Sequence, residues 1–536
     1  MTAEADKVKR IQETEIVIIG GGPVGMGLAI ELGQRGISTI VVEQHEPLQK
    51  VPKGQNLTQR TMEHFHFWGA EKQLRAARTI PPQYGIGGLT AYGTLTSGYH
   101  YDWFRRELVR PFYFKDNERL PQYATERVMR ERVAELPSVK VLYGWTGSAV
   151  RQDEAGVCVT ATGERNEADI EIRAAYAVGC DGSRSVVRGQ AGIGETRSRH
   201  NKKMVLLVFR APQLHALLER FPGKQFYNVL HPDLDGYWQF FGRVDLEGSF
   251  FFHAPVPDET TRDNFDFAAC LHRAAGAEFD VEFEHIGFWD LRVAIANDYE
   301  KGRVFIAGDA AHSHPPYGGY GINTGFEDAH NLGWKLAAVL RGWGGPKLLA
   351  SYGQERRPVF VSTARDFIEK AIETDRSFVN SFNPNRDRTA FETAWRQRTE
   401  SASVEIDLFE PHYAGSPIVF GDDGATSGAV GGHTYRARAG HHLAPRGLSS
   451  GINVFEALGE GFTLLALDGD ATTVAAFRDA AAKMRMPLEI LEDSRTEERE
   501  LYEARYILVR PDQFVAWVAD DDPGDPATIL MRAIGG

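Results

Sequence analysis

The sequence predicts an α/β protein: a dinucleotide-binding βαβ domain, an inserted and largely antiparallel sheet, and a smaller α/β domain toward the C-terminal end. Three observations carry that reading. A glycine-rich turn joins a short apolar run to an amphipathic stretch near the start. Strands crowded with aromatics fill 200–296. Strand and helix signals then alternate again beyond residue 409.

At 536 residues there is room for two or three domains, and 42 % hydrophobic with 25 % charged residues is an ordinary globular composition. A net charge of −13 argues against nucleic acid or an anionic membrane as the main partner. Apolar runs fall well short of the roughly 18 residues a membrane-spanning helix needs. The opening "MTAEADKVKRIQETE" is a charged tail without a signal-peptide core, so a cytoplasmic location is expected. Cys158, Cys180 and Cys270 show no C-x-x-C spacing, which supports neither a disulfide framework nor a zinc knuckle.

Residues 15–43 read as one βαβ unit: "EIVIIG" a buried strand, "PVGMGLAIELGQRG" a helix closed by Gly36, "STIVVE" a second strand. Gly20-x-Gly22-x-x-Gly25 sits between strand and helix, the context that gives this motif weight. Its glycines permit a tight turn, approach of a pyrophosphate, and close helix-on-strand packing, and the helix N-terminus offers about half a positive charge. Glu43, ending the second strand, is placed to accept hydrogen bonds from both ribose hydroxyls of an adenosine.

From 200 to 296, "KKMVLLVFR", "KQFYNVL", "GYWQFFGRV" and "GSFFFHAPV" read as strands. Their aromatics, Tyr227, Trp238, Phe240, Phe241, Phe251 and Phe252, are mostly expected as sheet core, and the sequence does not say which face meets a ligand. "GRVFIAGD" returns to α/β character. Asp309 there precedes a loop holding Gly318, Gly319 and Gly321, and then a helix in which Ile322, Phe326, Ala329, Leu332, Gly333, Leu336 and Leu340 recur at helical spacing. Such a loop lets backbone approach a ligand, and the helix start offers unpaired N–H groups. Residues 376–408 are polar and read as a connection. After it, "FTLLALDG", "TTVAAFRDAAAKM", "LEILED", "RYILVRPDQFVAWV" and "DPATILMRAI" follow as strand, helix, strand, strands, helix.

The glycine fingerprint, the Asp181-Gly182 of "YAVGCDGSRSVVR" and the Gly308-Asp309 pair come in an order and at separations that resemble the class A flavoprotein aromatic hydroxylases, the family of phenol hydroxylase and p-hydroxybenzoate hydroxylase. The resemblance covers roughly residues 14–375, and "LVRPDQFVAW" at 508–517 resembles the thioredoxin-like C-terminal domain of the phenol hydroxylase branch. It implies a Rossmann-like FAD-binding domain in two parts, 1–199 and 297–375, with an antiparallel β-sheet substrate domain, 200–296, inserted between them. A connecting segment, 376–408, and a thioredoxin-like domain without redox cysteines, 409–536, complete the implied layout.

The resemblance also assigns the FAD pyrophosphate to Gly20, Gly22 and Gly25, the adenosine ribose to Glu43, the ribityl chain to Asp309, and Asp181 with Gly182 to the diphosphate. Arg60, Gln122 and, less directly, Arg130 match segments that touch the cofactor. Backbone from Pro315 to Asn323, including Pro316, Gly319, Gly321, Ile322 and Asn323, is expected to face the isoalloxazine ring. The family's common GGQGMN reads Gly318-Gly319-Tyr320-Gly321-Ile322-Asn323 here, a departure at Tyr320 that bears on side-chain contacts near the ring and leaves the backbone expectation standing.

The activity implied is an FAD-dependent, NAD(P)H-consuming monooxygenase. It is expected to hydroxylate a small phenolic or related aromatic compound with O₂ through a flavin C4a-hydroperoxide, as in aromatic compound degradation. A dehydrogenase, a polyketide tailoring hydroxylase, a Baeyer–Villiger-type oxygenase and, in another class, a flavin-loaded sensor with a protein partner are the alternatives; a homo-oligomer is left open. With no second strand-GxGxxG-helix unit, a nicotinamide cofactor has to dock transiently. Gln55 and Asn56 stand where the phenol hydroxylase branch often has an acid or His, and neither is a base at neutral pH. Tyr227, Asn228, His231, His253 and Arg292 are the other substrate-side candidates, with Pro316 at the ring. His312-x-His314 with His330 is too sparse for a metal site, and His312 is expected to bond loop backbone. Ser183, Ser185 and Ser313 lie outside any G-x-S-x-G context, so hydrolase chemistry is not indicated.

Overall fold

The computed structural model describes residues 10–163, 169–198, 200, 202–521 and 523–536; the charged tail before Arg10 lies outside them. The expected βαβ unit is present as the strand Ile16–Ile19, the helix Pro23–Gln34 and the strand Thr39–Glu43. Both strands are buried along their whole length, which is why they read as unbroken apolar runs: helices cover both faces of a parallel sheet.

The six-stranded sheet runs in the order Glu300–Lys301, Val304–Ile306, Tyr176–Gly179, Ile16–Ile19, Thr39–Glu43, Val139–Tyr143. Only the Glu300–Lys301 edge is antiparallel. The DG and GD segments therefore leave adjacent strands at the same end as the glycine turn. The long helix Tyr320–Leu340 packs along Pro23–Gln34, where Gly27 lets Trp68 and Phe326 approach.

The second sheet has seven strands: Glu282–Leu291, Lys202–Arg210, Ser249–Val256, Trp238–Arg243, Lys224–Leu230, Gly87–Tyr92, His100–Trp103. The last two come from outside the expected 200–296 range, and Gly87–Tyr92 pairs in parallel with Lys224–Leu230. One face packs Tyr227, Phe241, Phe250 and Phe252 against the helix Phe267–Ala275. The opposite face carries Phe226, Phe240 and Phe251 toward the first domain.

Residues 376–408 are helical rather than an open connection: Lys370–Ser381, Arg388–Glu400 and Val404–Leu408. Phe378, Phe391 and Trp395 bury against Tyr92 and Tyr101 at the edge of the seven-stranded sheet, so this polar stretch still supplies core. The thioredoxin-like domain has the sheet order Leu488–Asp493, Phe462–Leu467, Tyr506–Val509, Val515–Ala519, with the first pair parallel and the rest antiparallel. It grips the first domain through residues 510–513. Arg510 makes two bonds to Glu355, 2.7 and 2.9 Å, and Trp334 Nε1 donates to Asp512 at 3.0 Å. Among the described residues no helix is long and apolar enough to cross a membrane.

Candidate active site

The three glycines of the fingerprint do different jobs. Gly20 has φ +100°, and a Cβ there would sit 2.3 Å from the Cys180 carbonyl oxygen. A Cβ on Gly25 would lie 1.9 Å from the Gly20 oxygen, so this glycine sets helix-on-strand contact. At Gly22 an added Cβ meets nothing within 4 Å; this is the side open to a ligand. Glu43 accepts from the Gly21 N–H at 2.6 Å and the His45 N–H at 2.7 Å, which fixes its carboxylate at the rim. Asp181 spends its carboxylate on Val186 and Val187 N–H groups, 2.7 and 3.1 Å, capping the helix Val186–Gln190. Asp181 and its neighbour Gly182 both line the groove, about 490 Å³, together with Glu43, Gln122 and Arg130.

A second cavity of about 760 Å³ shares Gly22, Lys53, Gln122 and Gly182 with that groove and reaches Asp309, Pro316, Gly319, Gly321 and Ile322. The three separated segments thus meet along one continuous trough. The Asp309 side chain is open to the trough yet ringed by protein. Burial pushes its carboxyl up, against the pull of His312, Lys53 and Arg292. Beneath it, Asp328 accepts from the Gly308 N–H at 3.0 Å and holds the turn in place.

Gly319 caps the long helix in a left-handed conformation, φ +66°, with no side chain satisfying the first-turn N–H groups. Those donors and the positive end of the helix stand at the trough, suited to an electron-rich ligand. Asn323 fixes this corner from behind: its Oδ1 accepts from Thr58 N–H at 2.9 Å and Thr61 Oγ1 at 2.7 Å, and its Nδ2 donates to Asn56 O at 2.8 Å. Tyr320 turns away and donates to Glu405 at 2.6 Å, so the departure from GGQGMN leaves the trough clear.

A smaller aromatic chamber, about 80 Å³, opens off Gly54–Asn56, Pro316 and Gly319 and is walled by Trp103, Phe104, Phe226, Phe240 and Phe251. His253 and Arg119 add polar edges. Both side-chain polar atoms of Gln55, Asn56 Nδ2 and His253 Nδ1 are buried without a partner, as are Trp289 Nε1 and His314 Nε2 at the trough. Buried polar atoms are ordinarily paired, so this concentration marks a ligand's place. Burial holds His253 down to about 4, leaving it neutral at pH 7. Open backbone at Gly22, free helix-end donors at both ends of the trough and these orphaned atoms together fit FAD with an aromatic compound beside it.

Several expected residues lie elsewhere. Arg60 does not line the trough. It bonds Glu327 at 3.0 Å and the Asp512 carbonyl at 2.7 Å, joining the first domain to the C-terminal one. Tyr227 points into the opposite core and donates to Lys224 O at 2.8 Å. Arg292, Asn228 and His231 line neither the trough nor the chamber. His312 bonds the Asp328 carboxylate instead of loop backbone, and His330 pairs with Glu31, so the three histidines do not converge. Trp103, Phe104, Lys53 and Arg119 were missed; "DWF" at an unrecognised strand end was the only signal for the first two.

A family model described as an FAD binding domain matches residues 13–366, and one described as the C-terminal part of aromatic-ring hydroxylases matches 436–536. The chain belongs to the FAD-dependent aromatic-ring hydroxylases. This hydroxylase is 30 % identical to a 4-methyl-5-nitrocatechol 5-monooxygenase of Burkholderia sp, over 97 % of each chain. It is also 30 % identical to a putative polyketide hydroxylase of Streptomyces halstedii, over 100 % of this chain and 99 % of that one. The structure of the rebeccamycin biosynthetic enzyme RebC with reduced flavin superposes with a TM-score of 0.85 at 29 % identity, covering 98 % of this chain and 100 % of that chain. The hydroxylase is accordingly a flavoprotein monooxygenase with the fold of that enzyme.

Proposed function

We propose that the chain hydroxylates a phenol or catechol held in the aromatic chamber, using NAD(P)H and O₂. In this reading Gly20, Gly22 and Gly182 receive the FAD pyrophosphate, Glu43 the ribose, with Gln122 and Arg130 alongside. Asp309 takes the ribityl chain and the Pro316–Ile322 backbone the flavin ring. Bound flavin supplies the activation of O₂; the chain's own residues bind, orient and keep water out. The observation that carries the reading is the opening of the aromatic chamber directly onto Pro316 and Gly319, with Gln55, Asn56 and His253 left unpartnered at the junction. The chamber walls suit the flat ring, and those three groups suit its hydroxyl. Neutral His253 accepts a hydrogen bond from a phenol and raises electron density on the ring without holding a full proton.

The uncapped first-turn N–H groups after Gly319 would favour negative charge on a flavin bound in the trough. Nicotinamide meets the flavin transiently, since the sequence offers it no second dinucleotide fold. Dependence on NAD(P)H and three free thiols suit the cytoplasm. The relative that acts on 4-methyl-5-nitrocatechol supports a one-ring substrate, and the small volume of the chamber favours it over a polyketide.

The test is a screen of phenols, catechols, indoles and hydroxypyridines for stimulated NAD(P)H oxidation under ¹⁸O₂, with product identification. One labelled oxygen in a ring hydroxyl is expected. Insertion of oxygen into a ring C–C bond, or turnover without label in any aromatic, overturns the proposal.

A further inference from the structure

Trp103 and Phe104 are consecutive residues at the end of the sheet's edge strand, His100–Trp103. Adjacent side chains on a strand point to opposite faces. Here both rings wall the same chamber, their centroids 4.1 Å apart. The cause is Phe104, whose φ of +57° places a bulky aromatic in the left-handed region that such residues rarely occupy. Backbone strain of this kind persists where the surroundings hold it and concentrates at functional sites. The holder is Arg106: its guanidinium lies over the Phe104 ring, 5.0 Å from the centroid, and its Nη2 donates to Gly318 O at 3.3 Å, within the loop that borders the chamber.

Behind Trp103 lies another cavity, of about 220 Å³, between this strand end and the helical segment 363–381, with Tyr317 and Phe367 in its wall. Trp103 lines both spaces. Its ring and that of Tyr317 are 6.0 Å apart, and Tyr317 is backed in turn by Trp238 at 5.3 Å. The pair is a partition with a small aromatic chamber on one side and a larger empty space on the other.

We propose that Trp103, braced by Tyr317, is the specificity-determining residue that ends the substrate chamber and limits it to aromatics of one or two fused rings. This rests on the aromatic-hydroxylation reading above and deepens it. A third fused ring would have to occupy the volume of the Trp103 indole, and removing the indole joins the two cavities into one slot.

The test uses FAD-loaded full-length protein and calorimetric titration with catechol, 1-naphthol and a hydroxyanthraquinone. Wild type is expected to prefer 1-naphthol over the hydroxyanthraquinone by roughly tenfold or more, the range of size discrimination in apolar pockets. Trp103→Ala is expected to shift that ratio toward the three-ring compound by a similar factor. Tyr317→Leu opens the partition from the other side without touching the strained strand end, and is expected to shift the ratio in the same direction if Trp103→Ala fails to fold. Equal affinity of wild type for two- and three-ring compounds overturns the partition, as does an unchanged ratio in a folded, FAD-retaining variant. If no aromatic binds the wild-type holoenzyme, the hydroxylation reading itself falls, and the partition with it.

Discussion

His312 and Asp328 meet through a 2.6 Å hydrogen bond in the buried heart of the first domain, with Arg356 on the other carboxylate oxygen at 2.7 Å. The same carboxylate takes the Gly308 N–H, so this ion cluster holds the turn that presents Asp309 to the trough. Asp328→Ala removes the salt-bridge partner of the buried Arg356 and should destabilise the protein by about 3–5 kcal/mol. Urea unfolding with FAD content measured in parallel checks this. Burial opposes the charge on Asp328, but His312 and Arg356 prevail and hold its carboxyl below the usual range. Its stabilising contribution is therefore present above the unfolded value, about 3.9, and is lost as pH falls toward the lower folded value.

Arg510→Ala should loosen the C-terminal domain from the helix Ala350–Ser362, which carries Glu355. Glu355 would keep Lys335 but lose two charged bonds in a fully buried position. A loss of about 3–5 kcal/mol is expected, together with faster proteolysis near 409–450. Unchanged proteolysis and an unchanged melting temperature would refute this role.

Glu43→Ala should raise the FAD dissociation constant by an amount worth about 1.5–3 kcal/mol, the range for hydrogen bonds to a charged group. Two backbone N–H groups already occupy the carboxylate, so the variant also loosens Gly21 and His45. Isothermal titration of apoprotein with FAD measures the change; no change removes Glu43 from the site.

His253 should be uncharged throughout the working range, since burial holds it near 4. The unfolded chain takes up a proton near 6.5, so this residue's contribution to stability is full above that value and falls as pH drops from 6.5 to 4. His253→Phe should remove that slope, on the order of 3 kcal/mol in all. Stability of the two proteins compared at several pH values across the window is the measurement. The hydroxylation profile between pH 5 and 8 should show no ionisation from His253.

Replacing Cys158, Cys180 and Cys270 together should leave coupled hydroxylation intact in a protein that keeps FAD. Burial raises all three thiols, Cys270 to about 11 and Cys180 further still, so thiolate is scarce at neutral pH. A folded, FAD-loaded variant without turnover would make a thiol part of the chemistry.

Local chemistry made the dinucleotide half of the site readable. Gly20, Gly22, Gly25 and Glu43 sit within one βαβ unit, so local spacing picks them out as one groove, whereas Asp309 follows a separate buried strand and was singled out through the family resemblance. The substrate half was not readable because both faces of the seven-stranded sheet are aromatic. Phe226 faces the chamber and Tyr227 the opposite core, with no polar alternation to tell them apart. Arg60 was misplaced because its partners, Glu327 and Asp512, lie hundreds of residues away. Trp103 and Phe104 escaped because a left-handed aromatic has no propensity signal, and their edge strand joins the sheet only through Gly87–Tyr92, which in turn pairs with Lys224–Leu230 far downstream.

The strand Val304–Ile306 lies beside Tyr176–Gly179 in the sheet that Ile16–Ile19 begins, and this neighbourhood has a temporal consequence. At roughly 5–20 residues per second on the ribosome, the glycine turn waits roughly 15–60 s before Asp309 has been translated. Through that interval the nascent chain carries half a cofactor groove and an apolar sheet edge with no neighbour. Flavin present during that interval has nothing complete to bind, so it cannot template the earliest folding of the first domain. A chain truncated before residue 340 should be a chaperone client rather than a weak flavoprotein.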